Sequence, residues 1–293
     1  MSETRALRKW VDEQLARGCL VEDLVDAMIA VGHHPQAART AVNEGVQRQR
    51  ELTAAVATSA VGAPSGSAPA RLSTPQPLPG TLAALPSSLR AEDREVRVLM
   101  ARASPRVLLF GNVLSDEECD QLVEAARPRM RRSHTVDRAT GGDQLHEART
   151  SEDCYFEHAA TPLVARINQR IAALCRWPLS HGEQMQILHY GVGAQYEPHY
   201  DWFDPADSGT AKLTAVGGHR VATLILYLNT PAAGGATTFP QLDLEVAAVK
   251  GNALFFSYDR PSPDTLTLHG GAPVTAGDKW IATRWMRERP YQS

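Results

Sequence analysis

The succession of short apolar segments in the second half of the chain constrains the fold most. From Glu183 onward, Gly- and Pro-containing turns separate segments rich in β-branched and aromatic residues, namely "EQMQILHY", "QYEPHYD", "HRVATLILYLN", "NALFFSY", "DTLTLHG" and "KWIATRWMRE". Two helical patterns precede them: "DEECDQLVEAAR", which Ser115 and Glu118 open as a capping box, and "TPLVARINQRIAALC". Helices followed by many short strands predict the α+β class, with an antiparallel sheet closed or folded into a jelly roll and helices packed outside it.

Composition divides the chain into three parts. Residues 1–50 contain three amphipathic helical patterns, the third opened by Pro35, and show no catalytic constellation. Residues 51–90 are dominated by Ala, Ser, Pro, Gly and Thr, a composition that buries little apolar surface. We therefore expect a small N-terminal α-helical unit (1–50), a linker (51–90) and a larger globular domain (91–293).

The bulk properties limit the range of partners. A formal net charge of -3 and an isoelectric point near 6.4 do not favour nucleic acid or an anionic membrane. The N-terminus lacks the apolar stretch of a secretory signal, and no window approaches the roughly 20 apolar residues of a membrane span. We expect a cytoplasmic protein that binds neither nucleic acid nor membrane. The four cysteines lack the spacing of a zinc site and are expected to be reduced and buried.

A candidate metal site begins at "YEPHYD". His199 and Asp201 are two residues apart, so an extended backbone places both side chains on one face, where they can bind a metal or form a hydrogen-bonded pair. His269 follows a strand pattern and can turn inward at the mouth of the barrel. Two histidines and one carboxylate occupy one face of an octahedral ion and leave the other face open, as in non-haem Fe(II) oxygenases. A zinc hydrolase is an alternative for the same three residues.

Lys279 strengthens the oxygenase interpretation. We expect its strand to pair with the strand that carries His269, and a buried ammonium there needs an anionic partner such as a metal-bound dicarboxylate. Tyr190, on the strand expected to neighbour that of His199, and Thr237 can complete a carboxylate pocket with their hydroxyls. Without such a ligand, Lys279 is a surface lysine in an ordinary turn, and the two hydroxyl residues are simple strand residues.

These motifs together resemble a known family. "HYGVGAQYEPHYDWF", "HRVATLILYLNTPAAGGATTFP" and "LHGGAPVTAGDKWIATRW" are similar to the catalytic domain of prolyl 4-hydroxylases, which are 2-oxoglutarate- and Fe(II)-dependent dioxygenases with a double-stranded β-helix (cupin-like) fold. Upstream, "ARTSEDCYF" and "INQRIAALCRWPLSHGEQMQILHY" extend the resemblance, so it covers roughly residues 95–290. The N-terminal fifty residues lie outside it.

The resemblance implies a cofactor set and residues that bind it. The metal ligands of Fe(II) would be His199, Asp201 and His269. The residues that bind the cosubstrate 2-oxoglutarate would be Lys279, Tyr190 and Thr237. Dioxygen would be the second cosubstrate and ascorbate an accessory cofactor, and no catalytic residue is expected beyond the metal ligands.

The resemblance also implies a reaction and a partner. The expected reaction is hydroxylation of a peptidyl proline with release of succinate and CO2, so the expected partner is a protein or peptide with an exposed proline. The peptide-contacting positions of the family match Arg149, Ser151, Glu183, Tyr196, Arg220 and Trp285. This chain departs from the family at Arg287, where a histidine is frequent, so contacts at the substrate mouth are expected to differ. A hydroxylase of a free amino acid or other small molecule, and a catalytically inactive binding or sensing protein, are the alternatives.

Overall fold

A computed structural model describes residues 7, 8, 10–12, 14, 15, 21–59, 71–78, 86–136, 140–144 and 149–291. The chain divides into two compact units, Met1–Pro69 and Ala70–Ser293. The helices with complete bounds are α1 (Val21–Ala30), α2 (Pro35–Ser59), α3 (Asp116–Ala126), α4 (Pro162–Cys175) and α5 (Thr210–Ala215). Within these described ranges, no helix is both long and apolar enough to span a bilayer.

The first unit is helical, as the periodicity predicts. Residues 7, 8, 10–12, 14 and 15 are helical, and their apolar stripe packs with those of α1 and α2. The buried residues of this small core are Val11, Leu24, Val25, Met28, Ala38 and Val42. Helix α2 continues past residue 50 to Ser59, because the Ala-rich sequence that follows has high helix propensity. It therefore covers the start of the segment that composition assigns to a linker.

The second unit is built on antiparallel strands. In the described residues the strands are β1 (Ser88–Ala91), β2 (Arg94–Arg102), β3 (Arg106–Gly111), β4 (Arg131–Arg132), β5 (Thr135–Val136), β6 (Asp143–Gln144), β7 (Glu152–Phe156), β8 (Met185–Tyr190), β9 (Tyr196–His199), β10 (Arg220–Tyr227), β11 (Ala233–Gly234), β12 (Thr237–Phe239), β13 (Leu244–Val246), β14 (Ala253–Ser257), β15 (His269–Gly271), β16 (Val274–Ala276) and β17 (Lys279–Arg287). Strand β1 begins inside the segment expected to be a linker, and the division into helical unit, linker and domain stays a prediction.

Two sheets of unequal size face each other. The larger has the order β1-β2-β3-β14-β10-β17-β8-β7-β4, and the smaller has the order β13-β12-β15-β9. Two short pairs, β11-β16 and β5-β6, lie beside them. Every strand pairing described is antiparallel, which confirms the predicted jelly-roll arrangement.

The large sheet is buried on both faces. In β10, Leu224 and Leu226 point to a core shared with α3 and α4, whereas Ile225 and Tyr227 point to a core shared with the small sheet. This alternation follows from the two-residue period of a strand. It explains why β10 is almost continuously apolar in sequence, and it leaves the space between the sheets as the place for a site.

A buried ion cluster holds the two outer helices together. The capping box that the sequence predicts at α3 is present, with Glu118 as its third helical residue. The Arg170 guanidinium of α4 donates to both carboxylate oxygens of Glu118, at 2.7 and 2.8 Å, and also to Asp93. Burial would raise the pKa of Glu118, but Arg170 and the Ser115 backbone outweigh it and lower the pKa. Glu118 therefore caps one helix and binds the other.

The cysteines fit the prediction where the structure describes them. Cys119, Cys154 and Cys175 are buried free thiols. Burial raises the pKa of Cys119 to about 12 and that of Cys154 to about 11, so both remain protonated at neutral pH. Cys19 lies outside the described residues.

We predict that Arg170→Ala lowers the free energy of unfolding by about 3 kcal/mol, because it leaves the buried Glu118 carboxylate without its main partner. Urea unfolding followed by fluorescence measures the change. The control is Arg71→Ala, which removes a cation that is 76% exposed and pairs with Asp259, and is expected to cost about 1 kcal/mol or less. Equal losses in the two variants would contradict the structural role of the cluster.

Candidate active site

Backbone pairing brings the two candidate histidine ligands together. Strands β9 and β15 are antiparallel neighbours, and His199 lies directly opposite His269 in their register. The ring centroids are 4.4 Å apart. Asp201 follows β9 in a bend, with its carboxylate oxygens 3.7 Å from His199 Nε2 and 3.5 Å from His269 Nε2. One ligand atom from each of the three residues lies within 4.8 Å of the others.

The hydrogen bonds of both imidazoles leave a metal-binding nitrogen available. His199 Nδ1 is 2.9 Å from the Glu197 carbonyl, and His269 Nδ1 is 3.0 Å from the Thr267 carbonyl. A carbonyl only accepts, so each Nδ1 carries the proton and each Nε2 presents a lone pair toward Asp201. Burial and the neighbouring His269 lower the pKa of His199 to about 3, so this imidazole is neutral.

The carboxylate is ionised. Burial would raise the pKa of Asp201, but the Arg220 guanidinium and the hydrogen bond from Thr223 favour the charged form, and this pKa is lowered to about 2. Two imidazole nitrogens and one carboxylate, all on one side of a small space, form the donor set that non-haem Fe(II) oxygenases use. The residues present therefore fit an iron ion.

A glycine permits the close approach of the two strands. A Cβ atom at Gly270 would lie 2.9 Å from the Tyr196 carbonyl oxygen and 3.2 Å from the Pro198 nitrogen. Both are backbone atoms of β9, which cannot move aside as a side chain would. A Cβ at Gly271 would meet nothing closer than 3.7 Å. Gly270 is thus the position at which a side chain would separate β15 from β9.

Lys279 lies across the cavity, in the other sheet. The sequence predicted that its strand pairs with that of His269, and this is wrong: β17 pairs with β10 and β8, whereas β15 pairs with β12 and β9. Tyr190 likewise pairs with Lys279, not with the strand of His199 as expected. The chain crosses between the sheets in the turns before β9 and β17, so neighbours in sequence lie in opposite sheets.

The Lys279 ammonium is buried without a counter-charge. The residue is 3% exposed, and burial alone lowers its pKa to about 8. In the part of the chain that the structure describes, no group accepts a hydrogen bond from its Nζ. The Tyr190 ring centroid lies 5.4 Å from this nitrogen. Since a buried cation without a partner is unfavourable, the geometry fits an anion bound beside Lys279.

Thr237 can join such an anion site. It is buried on β12, and its hydroxyl oxygen accepts a hydrogen bond of 2.9 Å from the Tyr227 hydroxyl. The proton of Thr237 is then left to be donated to another acceptor. Thr237 and Lys279 line the same cavity as the three metal-ligand candidates.

The cavity is open to solvent, and the empty space within it and at its mouth amounts to about 440 Å³. Every second residue of the central strands faces it, namely Gln186, Leu188 and Tyr190 of β8, Thr223 and Ile225 of β10, and Lys279, Ile281, Thr283 and Trp285 of β17. Of the twelve residues that the sequence singles out, the cavity wall includes His199, Asp201, His269, Lys279, Tyr190, Thr237, Arg149, Tyr196 and Trp285. The remaining three are Ser151, Glu183 and Arg220, and they lie behind this wall.

Arg149 reaches the cavity from the side, and Ser151 supports it. The Arg149 guanidinium donates to the Ser151 hydroxyl at 3.2 Å and to Gln186 Oε1 at 3.3 Å, and lies 5.0 Å from the Tyr196 ring. Ser151 is fully buried and its hydroxyl donates to Ser133, so it helps to position Arg149, and its expected contact with a peptide stays a prediction.

Glu183 and Arg220 form an ion pair beside the mouth. Both oxygens of Glu183 accept from Arg220, at 2.6 and 2.8 Å, and the Arg287 Nε lies 2.6 Å from the same carboxylate. Burial would raise the pKa of Glu183, but the two arginines outweigh it and lower the pKa. Arg220 in turn lies 3.9 Å over the Trp285 ring. The departure at Arg287 thus adds a second cation to the pair that supports Trp285.

Sequence reasoning missed Gln186, Thr223 and Thr283. Each is a polar residue in a strand that is otherwise apolar in sequence, and each faces the cavity together with a predicted site residue on its own strand or on the neighbouring one. The alternation of inward and outward side chains along a strand could have identified them.

Comparisons with known proteins agree with this geometry. The family described as the 2OG-Fe(II) oxygenase superfamily matches residues 185–287. Probable prolyl 4-hydroxylase 3 of Arabidopsis thaliana is 36% identical over 209 residues, which cover 64% of this chain and 71% of the relative. The Gallus gallus prolyl 4-hydroxylase subunit alpha-1 is 38% identical over 187 residues, covering 63% of this chain and 36% of that subunit.

Among solved structures, the viral collagen prolyl hydroxylase of Paramecium bursaria Chlorella virus-1, in complex with 2OG, is 28% identical with a TM-score of 0.49. The match covers 62% of this chain and 95% of the viral one. The fold and donor set define a 2-oxoglutarate- and Fe(II)-dependent oxygenase with a double-stranded β-helix core. Within that class, the chain belongs to the prolyl 4-hydroxylase family, whose members are enzymes.

We predict that Gly270→Ala weakens the binding of a divalent metal by about 10- to 100-fold, because the added Cβ pushes β15 away from β9 and separates the histidines. Titration with Co(II), followed by visible absorption, measures the affinity. Gly271→Ala is the matched control and is expected to bind Co(II) as the unchanged protein does. Similar affinities for the two variants would show that the close strand approach does not set the site.

Proposed function

We propose that this protein hydroxylates a prolyl residue in an exposed peptide segment, consuming 2-oxoglutarate and dioxygen and releasing succinate and CO2. The observation that carries the proposal is Lys279, whose ammonium is buried without a partner in the cavity that holds the His199, Asp201 and His269 triad. 2-Oxoglutarate has a carboxylate at each end, so one end can bind at the metal while the other neutralises Lys279.

The residue roles follow from the donor atoms. His199, Asp201 and His269 offer two lone-pair nitrogens and one carboxylate to Fe(II). Lys279 supplies the positive charge for the distal carboxylate of the cosubstrate. The Thr237 hydroxyl donates its remaining proton to the same carboxylate, and Tyr190 forms the adjacent wall. The two sets lie in opposite sheets, so a cosubstrate of this length bridges the space between them.

When bound, iron and 2-oxoglutarate supply the oxidising power that breaks an unactivated C–H bond. The chain itself binds, orients and excludes water. Leu188, Ile225 and Ile281 give the cavity an apolar wall near the triad, which keeps water from the reacting centre. Tyr196 stacks on His199 at 3.7 Å between ring centroids, and so narrows the entrance. Holding the substrate C–H in one orientation is the remaining task of the protein.

The mouth suits a peptide in an extended conformation. Tyr196 and Trp285 present aromatic surfaces at the cavity, on which a proline ring can pack. Arg149 donates hydrogen bonds to neutral oxygens and has the Asp153 carboxylate 3.9 Å away, and its guanidinium at the cavity wall can donate to a peptide carbonyl. The matched relatives are named prolyl 4-hydroxylases, which supports proline as the target. Ascorbate as accessory cofactor and a cytoplasmic location are further parts of the proposal.

The test compares three candidate substrates: a proline-rich peptide, the same peptide with alanine in place of each proline, and free proline. The Fe(II)-loaded protein is incubated with 2-oxoglutarate and isotopically labelled dioxygen, and mass spectrometry locates the label. We expect one labelled oxygen on proline in the first peptide and none in the second. Label on free proline alone would favour the small-molecule alternative. Absence of 2-oxoglutarate turnover across a broad peptide panel would favour a binding or sensing protein.

We predict that 2-oxoglutarate affinity falls as the pH rises above about 8. Lys279 loses its proton in the free protein near this pH, so binding of the dianion must take up a proton, and affinity falls by about tenfold per pH unit. Calorimetric titration of the Mn(II)-loaded protein without dioxygen measures the dependence. Lys279→Arg is the control, because its guanidinium stays charged and removes the pH slope in this range. A flat profile for the unchanged protein would contradict a role for the Lys279 charge.

A further inference from the structure

The Asp201 carboxylate is supported from the opposite sheet. Asp201 follows the end of β9 and is not held in a strand ladder, unlike His199 and His269. Thr223, on β10 of the large sheet, donates its hydroxyl proton to Asp201 Oδ2 at 2.6 Å. Within the described part of the chain, this is the hydrogen bond that reaches the Asp201 side chain.

A second hydroxyl stands behind the first. The Tyr258 hydroxyl lies 3.0 Å from Thr223 Oγ1. A threonine hydroxyl has a single proton, and that of Thr223 is donated to the carboxylate, so the Tyr258 hydroxyl must be the donor to Thr223. The two hydrogen bonds therefore run in one direction: Tyr258 donates to Thr223, and Thr223 donates to Asp201.

Both residues are held rigidly. Tyr258 is 2% exposed, and its backbone N–H donates to the Val221 carbonyl at 3.0 Å. Thr223 is 1% exposed and lies in register between Phe256 of β14 and Trp285 of β17. Because Thr223 is fixed in the large sheet, its hydrogen bond fixes the position of the Asp201 side chain relative to that sheet.

We propose that Thr223 and Tyr258 are positioning residues that hold the Asp201 carboxylate in its orientation toward the two histidines, where a metal would bind. This rests on the proposed function of the same site. The hydrogen bond from Thr223 takes one lone pair of Oδ2 and fixes the plane of the carboxylate, with Oδ1 3.7 Å from His199 Nε2 and Oδ2 3.5 Å from His269 Nε2.

The test measures metal binding by the full chain, separately from turnover. Co(II) is titrated into the unchanged protein and into Thr223→Val, which keeps the shape and removes the hydroxyl. We expect about 10- to 100-fold weaker binding and a changed visible spectrum, since partners of this kind contribute that much to metal affinity. Thr223→Ser restores the hydroxyl and is expected to recover both. Thr230→Val removes a threonine hydroxyl outside the cavity, one that accepts a hydrogen bond from the Lys250 backbone N–H, and is expected to leave Co(II) affinity unchanged.

Tyr258→Phe tests the second link. It is expected to weaken Co(II) binding less than Thr223→Val does, because Thr223 still donates to the carboxylate. Adding it to Thr223→Val is expected to cost nothing further, because the relay is already broken, and this non-additivity identifies the two residues as one unit. Additive losses would overturn the relay. If Thr223→Val does not fold, the Co(II) affinities and spectra of Tyr258→Phe and Thr223→Ser test the proposal. An unchanged Co(II) spectrum in Tyr258→Phe would overturn the role of Tyr258.

The outcomes separate this inference from the proposed function. If the unchanged protein binds Co(II) and Thr223→Val binds it equally, the positioning role is wrong and the metal site stands. If the unchanged protein binds no Co(II), or if His199→Ala binds it as well as the unchanged protein does, the metal site itself fails.

Discussion

The antiparallel register between β9 and β15 is the constraint on which the rest of the site depends. It sets His199 opposite His269, and the contact is close because Gly270 has no side chain to hold the strands apart. Each imidazole then donates from Nδ1 to the carbonyl two residues earlier in the chain, which turns both Nε2 atoms toward the same space. The two-histidine part of the candidate metal site is therefore a product of local backbone geometry. The aspartate differs, since its support comes from the Thr223 hydroxyl in the other sheet.

Some buried cations of this protein have carboxylate partners, whereas Lys279 has none among the described residues. Arg170 with Glu118, and Arg220 with Glu183, are cations neutralised by carboxylates, and they fix helices and the cavity mouth. Lys279 is equally buried and has no such partner among the described residues. Burying an ammonium without a carboxylate partner costs free energy, and a bound anionic ligand would remove that cost. The contrast among these three sites is what favours Lys279 as the residue that binds an anionic cosubstrate in the proposed function.

The family match concerns the second unit. Its profile covers residues 185–287, which begin at β8 and end at the last residue of β17. The helical unit of α1 and α2 lies outside that range and has a small core of its own. The support for catalysis therefore comes from the two facing sheets of the second unit.

Alternation and capping were readable from the sequence because they are local. The Ser115 capping box, the helix at Pro162–Cys175 and most strands of the second half follow from spacings of two to four residues, and the structure contains them. The exception is "DTLTLHG", which includes the end of a 3-10 helix (Pro263–Thr265) and becomes a strand only at His269. Side chains such as Gln186 and Thr223 were missed, although they share the inward phase of their strands. Their polarity acquires meaning only once the inward face is known to line a cavity.

The pairing of strands could not be predicted from the sequence, because it depends on where the chain crosses from one sheet to the other. The sequence placed Lys279 beside the strand of His269, and the structure places it across the cavity in the opposite sheet. Tertiary packing joins Ser151 to Arg149 and Glu183 to Arg220 by hydrogen bonds, whereas the expected contact of Ser151 and Glu183 with a peptide stays a prediction. The sequence by itself determined which residue types reach the inner face, since that follows from a two-residue period. Only the tertiary structure decided which of them meet, since that requires two sheets to close on one cavity.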